Sequence, residues 1–151
     1  MSLPDAPGPA DGRILLVEDS PDDQTLTIRA LRRAGVDEEV TLARDGAEAL
    51  ALLLPAGGGP VVLPRIVLLD LKLPKVQGLE VLERLRSDPR TRDLRVIVVT
   101  SSDEEADILA SRRFGADGYV RKSVDFWEFC ETLRRSWPGW MAPRGPALRG
   151  T

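Results

Sequence analysis

The chain has 151 residues, of which 42% are hydrophobic and 30% charged, and its formal net charge is −3. This length and apolar content suit one domain with a single sizeable core. The small negative charge gives no electrostatic reason to bind nucleic acid or a membrane, and no apolar run approaches the ~20 residues that span a bilayer. The one cysteine, Cys130, excludes an intramolecular disulfide and favours a cytoplasmic location.

The sequence contains no histidine. Catalysis by Ser-His-Asp or Cys-His groups and histidine-based zinc sites are therefore excluded. The chain is also excluded as a histidine kinase or a phosphohistidine carrier. Any chemistry must depend on carboxylates, hydroxyls and lysines.

The chain opens with residues 1–12, which are rich in Pro, Gly and Ala and lack the basic and apolar regions of a signal peptide. We predict that this segment is a flexible leader. Arg13–Val17 then carries the apolar run ILLV, which predicts a buried strand. Ser20 suits a helix N-cap and Pro21 the first helical position, and apolar residues follow at helical spacing up to Gly35.

A weaker strand is predicted at Glu39–Ala43, and a second helix begins at Gly46. The stretch Pro55–Pro64 contains three glycines but no following Gly-Lys-Ser/Thr, so it predicts a flexible connector and not a phosphate-binding loop. A third buried strand follows at Ile66–Leu69.

The second half of the chain continues the alternation of apolar strands and amphipathic helices. We predict a helix at Gly78–Leu85, a strand at Arg95–Val99, a helix at Asp103–Phe114 and a short strand at Gly118–Val120. Ser123 is the predicted cap of a last helix. Its predicted inner side consists of Val124, Phe126, Phe129, Cys130 and Leu133.

Five successive strand–helix units predict an α/β fold with a doubly wound, five-stranded parallel sheet covered by helices on both faces. The predicted domain covers residues 13–137, and the Pro/Gly-rich tail at 138–151 is predicted to be mostly irregular. This tail is too short for a helix-turn-helix, so output through DNA is not expected.

Polar side chains end four of the five predicted strands. In open α/β sheets, ligands bind beyond the carboxyl ends of the strands. Each residue alone has an ordinary structural explanation, such as a turn or a helix cap, but their convergence at one edge predicts a functional site. These residues are Glu18 and Asp19, Asp70, Thr100 and Ser101, and Lys122.

Three adjacent carboxylates repel one another, so the arrangement implies a cation. Oxygen ligands without histidine or thiolate select a hard ion, Mg²⁺ with Mn²⁺ as a substitute. Asp70 is then the predicted nucleophile, which forms an acyl phosphate. Lys122 pairs first with the Asp70 carboxylate and then with a phosphate oxygen, and the Thr100 hydroxyl donates to another phosphate oxygen.

Four motifs, LLVEDS, LLDLKLPKVQGLEVL, VIVVTSS and GADGYVRKS, resemble the receiver domains of two-component response regulators. The resemblance runs from Arg13 to about Trp137 and implies a flavodoxin-like sheet of order 2-1-3-4-5. It implies that Asp19, Asp70 and the backbone carbonyl of Lys72 bind the metal and that Glu18 acts mainly through water. It also implies a sensor histidine kinase as phosphoryl donor, with self-phosphorylation and self-dephosphorylation as the only catalysis.

The resemblance further implies a switch, in which Thr100 moves toward the phosphoryl group and the ring of Tyr119 turns inward behind it. Two positions depart from the family pattern. Most members have Lys-Pro with a cis peptide where this chain has Lys122-Ser123, and Ser101 replaces a smaller residue.

The Lys-Ser pair, the DLxLPK stretch and the long connector resemble the small, stand-alone regulators that partner bacterial phytochromes. Members of that group are commonly dimers through the last helix and its surroundings. We therefore predict a homodimer and protein–protein output, since aromatic residues are favoured interface anchors. The candidate interface residues are Phe126, Trp127, Cys130 and Trp137.

Two alternatives to a phosphorylated receiver stay open. One is a pseudo-receiver that binds partners without phosphorylation, although the set of acids and the lysine is intact. The other is a magnesium-dependent phosphatase or nuclease. A haloacid-dehalogenase-type phosphatase would have a second acid two positions after its nucleophile, where this chain has Lys72.

Overall fold

The computed structural model describes residues 13–58, 63–122 and 125–143. It contains five parallel strands in one sheet of order β2-β1-β3-β4-β5, which confirms the predicted fold class and strand order. The strands are β1 (Arg13–Val17), β2 (Glu39–Ala43), β3 (Ile66–Leu69), β4 (Arg95–Thr100) and β5 (Gly118–Arg121). The helices are α1 (Pro21–Arg33), α2 (Gly46–Leu53), α3 (Gly78–Ser87), α4 (Glu105–Arg113) and α5 (Phe126–Met141).

Two hydrophobic cores lie on opposite faces of the sheet, because successive residues of a strand point to opposite sides. On one face, Leu15 and Val17 of β1 pack with residues of α2 and α3. On the other, Ile14 and Leu16 pack with residues of α1 and α5, including Phe129. The continuous apolar run of β1 is therefore the signature of a strand that is buried on both faces.

The start of α1 follows the local chemistry of the sequence. Ser20 is the N-cap, and its hydroxyl oxygen accepts a hydrogen bond from the Asp23 N–H at 3.2 Å. Pro21 takes the first helical position, where a missing N–H has no cost. This start places the first turn of α1 directly beyond the carboxyl end of β1.

The predicted start of α4 was wrong by two residues. The Glu104 N–H donates to the Ser102 hydroxyl oxygen at 3.3 Å, and the helix begins only at Glu105. Ser102 also donates to the carboxylate of Asp107. These contacts leave Asp103 in the loop, where it forms an exposed ion pair with Arg121.

The last helix also differs from its prediction at both ends. Its N-cap is Asp125 and not Ser123, because the Asp125 carboxylate accepts from two backbone N–H groups of the first turn. The helix continues through Pro138 to Met141, so the predicted irregular tail begins too early. Trp140 and Met141 pack against the core, which explains the longer helix.

Several sequence predictions fall on residues outside the described ranges. They concern the leader at 1–12, the middle of the connector at 59–62, the peptide between Lys122 and Ser123, and most of the tail. Within the ranges that are described, no helix is long and apolar enough to cross a membrane.

Candidate functional site

Three carboxylates meet where the strand order reverses, between β1 and β3. Glu18 and Asp19 directly follow β1, Asp70 directly follows β3, and each offers a carboxylate oxygen within 4.8 Å of the others. Sheet-like hydrogen bonds continue past the strand ends and hold two of them: the Glu18 N–H donates to Ala43 and the Asp70 N–H to Val17. Glu18 and Asp70 are 2% and 7% exposed, whereas Asp19 is exposed to solvent.

Lys122 brings a buried positive charge to these acids. Its Nζ donates to Glu18 Oε1 at 2.7 Å, to Asp23 Oδ2 at 2.9 Å and to Asp70 Oδ2 at 3.3 Å. The backbone of Lys122 is fixed as well, because its N–H donates to the Thr100 carbonyl at 2.7 Å. An ammonium group has three donors, so these three carboxylates occupy all of them.

The electrostatics of the cluster reflect its burial. Desolvation raises the pKa of Glu18 to about 7, the neighbouring Asp70 charge adds to the rise, and the hydrogen bond from Lys122 opposes it. Burial alone would lower the pKa of Lys122, but its hydrogen bonds to Glu18 and Asp23 and the Asp70 charge outweigh that effect and raise it. Lys122 is therefore charged, and it faces more negative charge than it balances.

Thr100 and Tyr119 meet at the loop after β4. Thr100 is fully buried, and its Oγ1 accepts from the Ser102 N–H at 3.4 Å. The hydroxyl of Tyr119 donates to the Ser102 carbonyl oxygen at 2.6 Å. Both predicted switch residues therefore contact the backbone of the same residue, which gives them a direct structural connection.

The loop between β3 and α3 holds Asp70 from the other side. The Lys72 N–H donates to Asp70 Oδ1 at 3.3 Å, while the metal-binding role of the Lys72 carbonyl remains a prediction. Gly78 begins α3 so close to this loop that an added Cβ would lie 2.3 Å from the Asp70 carbonyl oxygen and 2.6 Å from Leu71 Cα. A glycine is needed here because no side chain fits that approach.

Asp23 is the site residue that the sequence analysis missed. An acid in the first turn of a helix has an ordinary explanation, because the positive end of the helix dipole favours acids there. The structure places its carboxylate on Lys122, and the side chain is 39% exposed. The only local signal was the acidic pair in SPDD, which does not distinguish Asp22 from Asp23.

The four candidate interface residues have different environments. Trp127 is 60% exposed, and the guanidinium of Arg33 lies 4.6 Å from its ring centroid. Phe126 and Trp137 pack partly against the core, and Cys130 is 6% exposed. In the single chain, Trp127 therefore presents the largest aromatic surface of the four.

The fold and the site together define a class. A doubly wound sheet of order 2-1-3-4-5, with acids at its switch point and a buried lysine after the last strand, has the architecture of a flavodoxin-like signalling domain. The response regulator receiver domain model matches residues 14–134. The chain belongs to this family of two-component signalling proteins.

Individual relatives cover most of the chain. The probable methanogenesis regulatory protein FilR2 of Methanothrix harundinacea is 38% identical over 89% of this chain and 88% of its own. The response regulator Rcp1 of Synechocystis is 35% identical over 82% of this chain and 87% of its own.

Solved structures of response regulators also superpose on most of this chain. The Mn²⁺-bound form of Rcp1 superposes with a TM-score of 0.76 at 32% identity, covering 89% of this chain and 97% of Rcp1. The phosphorylated cyanobacterial phytochrome response regulator RcpA superposes with a TM-score of 0.75 at 33% identity, covering 90% of this chain and 99% of RcpA. The chain therefore resembles phytochrome response regulators in sequence and in fold.

Proposed function

We propose that Asp70 accepts a phosphoryl group from a sensor histidine kinase and that the chain passes the signal on by protein contacts. The observation that supports this most is the setting of the Asp70 carboxylate, which is buried, 3.3 Å from the Lys122 ammonium and next to two further carboxylates. A structural role alone does not explain this arrangement, because placing further carboxylates beside a buried one is unfavourable for folding.

The donor set fits a divalent cation of the Mg²⁺ type, which prefers carboxylate and carbonyl oxygens. Asp19, Asp70 and the backbone carbonyl of Lys72 would hold it, with Glu18 acting through water. The ion would neutralise carboxylate and phosphoryl charge when bound. The Mn²⁺-bound form of Rcp1 supports this assignment, because Mn²⁺ takes the same kind of oxygen ligands.

The residues of the chain have separate roles in the transfer. An Asp70 carboxylate oxygen forms a bond to phosphorus while the bond from phosphorus to the donor nitrogen breaks. Lys122 changes from the Asp70 carboxylate to a phosphoryl oxygen, and the Thr100 hydroxyl donates to another. With the phosphoryl group in place, Thr100 and Tyr119 shift the population between two arrangements of the loop at Ser102.

The alternatives receive less support. A phosphorylation-independent pseudo-receiver would not need Asp19, Asp70, Thr100 and Lys122 together. A phosphatase of the haloacid-dehalogenase type would need an acid where Lys72 stands, so we propose self-phosphorylation and self-dephosphorylation as the chain's only catalysis.

Phosphoryl transfer is tested with phosphoramidate, a small donor that needs no kinase, in the presence of Mg²⁺. We expect one alkali-labile phosphoryl group per chain, no label in the Asp70→Asn variant and no label after chelation of the metal. An unlabelled wild type would favour the pseudo-receiver, and sustained turnover of a phosphate ester would favour the phosphatase.

We propose that the chain acts in the cytoplasm and that its partner is a sensor histidine kinase, with a bacterial phytochrome as the candidate, because RcpA is a phytochrome response regulator. Phosphotransfer from purified candidate kinases to the wild type and to Asp70→Asn tests this choice. Transfer from a phytochrome kinase that is no faster than from unrelated kinases would contradict it.

We also propose a homodimer through α5 and its surroundings, with Trp127 as the main contact. Burial of its exposed ring in an interface would stabilise the dimer. Sedimentation should show a dimer for the wild type and a weaker one for Trp127→Ala. Monomer alone at micromolar concentration, with and without a phosphoryl mimic, would contradict the proposal.

A further inference from the structure

Asp23 has no role in the transfer described above, yet its carboxylate is closer to Lys122 than that of Asp70 is. The Nζ–Oδ2 distance is 2.9 Å to Asp23 and 3.3 Å to Asp70. We propose that Asp23 is a positioning residue that shares the Lys122 ammonium with Asp70 and thereby weakens its hold on a phosphoryl group. This inference rests on the proposed function of Asp70.

The ammonium group of Lys122 has as many donors as it has carboxylate partners. Its side chain is 5% exposed, and its three ammonium hydrogens are used by Glu18, Asp23 and Asp70. When Lys122 moves from the Asp70 carboxylate to a phosphoryl oxygen, its contacts with Glu18 and Asp23 must lengthen or follow it. Asp23 competes for the same donor as long as its carboxylate is charged.

Of the three acids, Asp23 is also the one that water can hydrate most easily if Lys122 moves away from it. Its side chain is 39% exposed, against 3% for Glu18 and 9% for Asp70. An exposed carboxylate recovers hydration at little cost, whereas a buried one does not. The contact with Asp23 is therefore the one that lengthens most easily when Lys122 moves toward a phosphoryl oxygen.

The first turn of α1 fixes Asp23 for this role. Its N–H donates to the Ser20 hydroxyl oxygen at 3.2 Å, and the Ser20 N–H donates to Glu18 Oε2 at 3.1 Å. One short segment thus places two of the three carboxylates that contact Lys122.

Asp22 supplies a matched control. It lies in the same turn with the same charge, its side chain is exposed, and within the described ranges it forms no ion pair. A long-range charge effect would appear in both Asp22→Asn and Asp23→Asn. An effect through Lys122 would appear only in the second variant.

The test measures binding of beryllium trifluoride, a phosphoryl mimic, at saturating Mg²⁺ in the wild type and both variants. We expect Asp23→Asn to bind the mimic about threefold more tightly, the range of a partly exposed ion pair, and Asp22→Asn to match the wild type. In the unliganded proteins, the ¹⁵N signal of the Lys122 ammonium should shift in Asp23→Asn alone. That signal reports on the contact itself and does not depend on phosphorylation.

The possible results distinguish the inference about Asp23 from the proposed function of Asp70. Equal affinity of all three proteins for the mimic, an equal gain in Asp22→Asn, or an unchanged Lys122 signal in Asp23→Asn overturns the inference and leaves the proposed function standing. A wild type that binds no mimic and takes no phosphoryl group overturns the proposed function, and the inference with it.

Discussion

An ion pair lies at each end of β5, and its cation, partly buried Arg86 at one end and buried Lys122 at the other, is bound in a different way. Asp117, directly before the strand, binds Arg86 of α3 with an N–O distance of 3.0 Å. The rest of the Arg86 guanidinium donates to backbone carbonyls of Gly115, Arg92 and Leu94. Lys122, directly after the strand, donates to three carboxylates.

This difference separates a structural contact from a functional one. The Arg86 guanidinium donates to the Asp117 carboxylate and to three backbone carbonyls, and these contacts fix its planar geometry. The Lys122 cluster has an excess of negative charge and donors that are able to change partners. Ion pairing is common to both ends, so the cluster of three carboxylates around one ammonium group is what supports the proposed function of the Lys122 end.

Removal of Arg86 gives the largest expected effect on stability. Arg86→Ala removes the cation that pairs with the partly buried Asp117 carboxylate and the donor to three backbone carbonyls, so the free energy of unfolding should fall by about 3 kcal/mol. Chemical denaturation measures this. Arg84→Ala is the control, since Arg84 is exposed on the same helix, and it should change stability by less than about 0.5 kcal/mol. A loss of the same size in both variants would contradict the structural role of Arg86.

Mg²⁺ should stabilise the protein through the carboxylate cluster near Lys122, at the carboxyl end of β5. If Mg²⁺ binds the folded chain as proposed, Mg²⁺ at about 100 times its dissociation constant should stabilise the wild type by about 2.7 kcal/mol. Asp19→Asn should lose most of this gain because it removes a proposed ligand, and Arg86→Ala should keep it. Thermal unfolding with and without Mg²⁺ measures the difference. An equal gain in the wild type and Asp19→Asn would remove Asp19 from the metal site.

The smallest expected effect is on the pKa of Tyr119, which lies within β5. Burial raises the pKa of its hydroxyl, and the nearby carboxylates of Asp107 and Asp103 add to the rise. The folded chain therefore holds this proton more tightly than the unfolded chain. The resulting stability is present below the unfolded pKa and is lost as pH rises through the folded one.

Tyr119 is the only tyrosine, so phenolate absorbance reports on it alone. We expect a midpoint above that of the urea-unfolded protein. A midpoint equal to that of the unfolded protein would contradict the burial of this hydroxyl near the two carboxylates.

Local sequence patterns predicted the structural features that depend on neighbouring residues. The ILLV run gave β1, and Ser20 with Pro21 gave the start of α1, because a buried strand and a helix cap depend on neighbouring residues. Ser123 failed as a cap because Asp125, two residues later, reaches the free N–H groups of the first turn. Pro138 failed as a helix end because packing of Trp140 and Met141 outweighs its missing hydrogen bond.

The site was predictable where topology alone brings residues together. Strand ends meet at one edge of a parallel sheet, so Glu18, Asp70 and Lys122 were expected to be neighbours. Asp23 and Arg86 were not, because their roles depend on the reach of a side chain to a residue far along the chain. Such contacts leave no periodic pattern in a single sequence.

The central claim is that Asp70 carries the phosphoryl group, and the most direct measurement is chemical mapping of that group. After reaction with phosphoramidate and Mg²⁺, borohydride reduction converts an acyl phosphate on an aspartate to homoserine. We predict homoserine at position 70 and at no other acid, including Asp19 and Asp23. Homoserine at another position, or none in a chain that binds Mg²⁺, would contradict the claim.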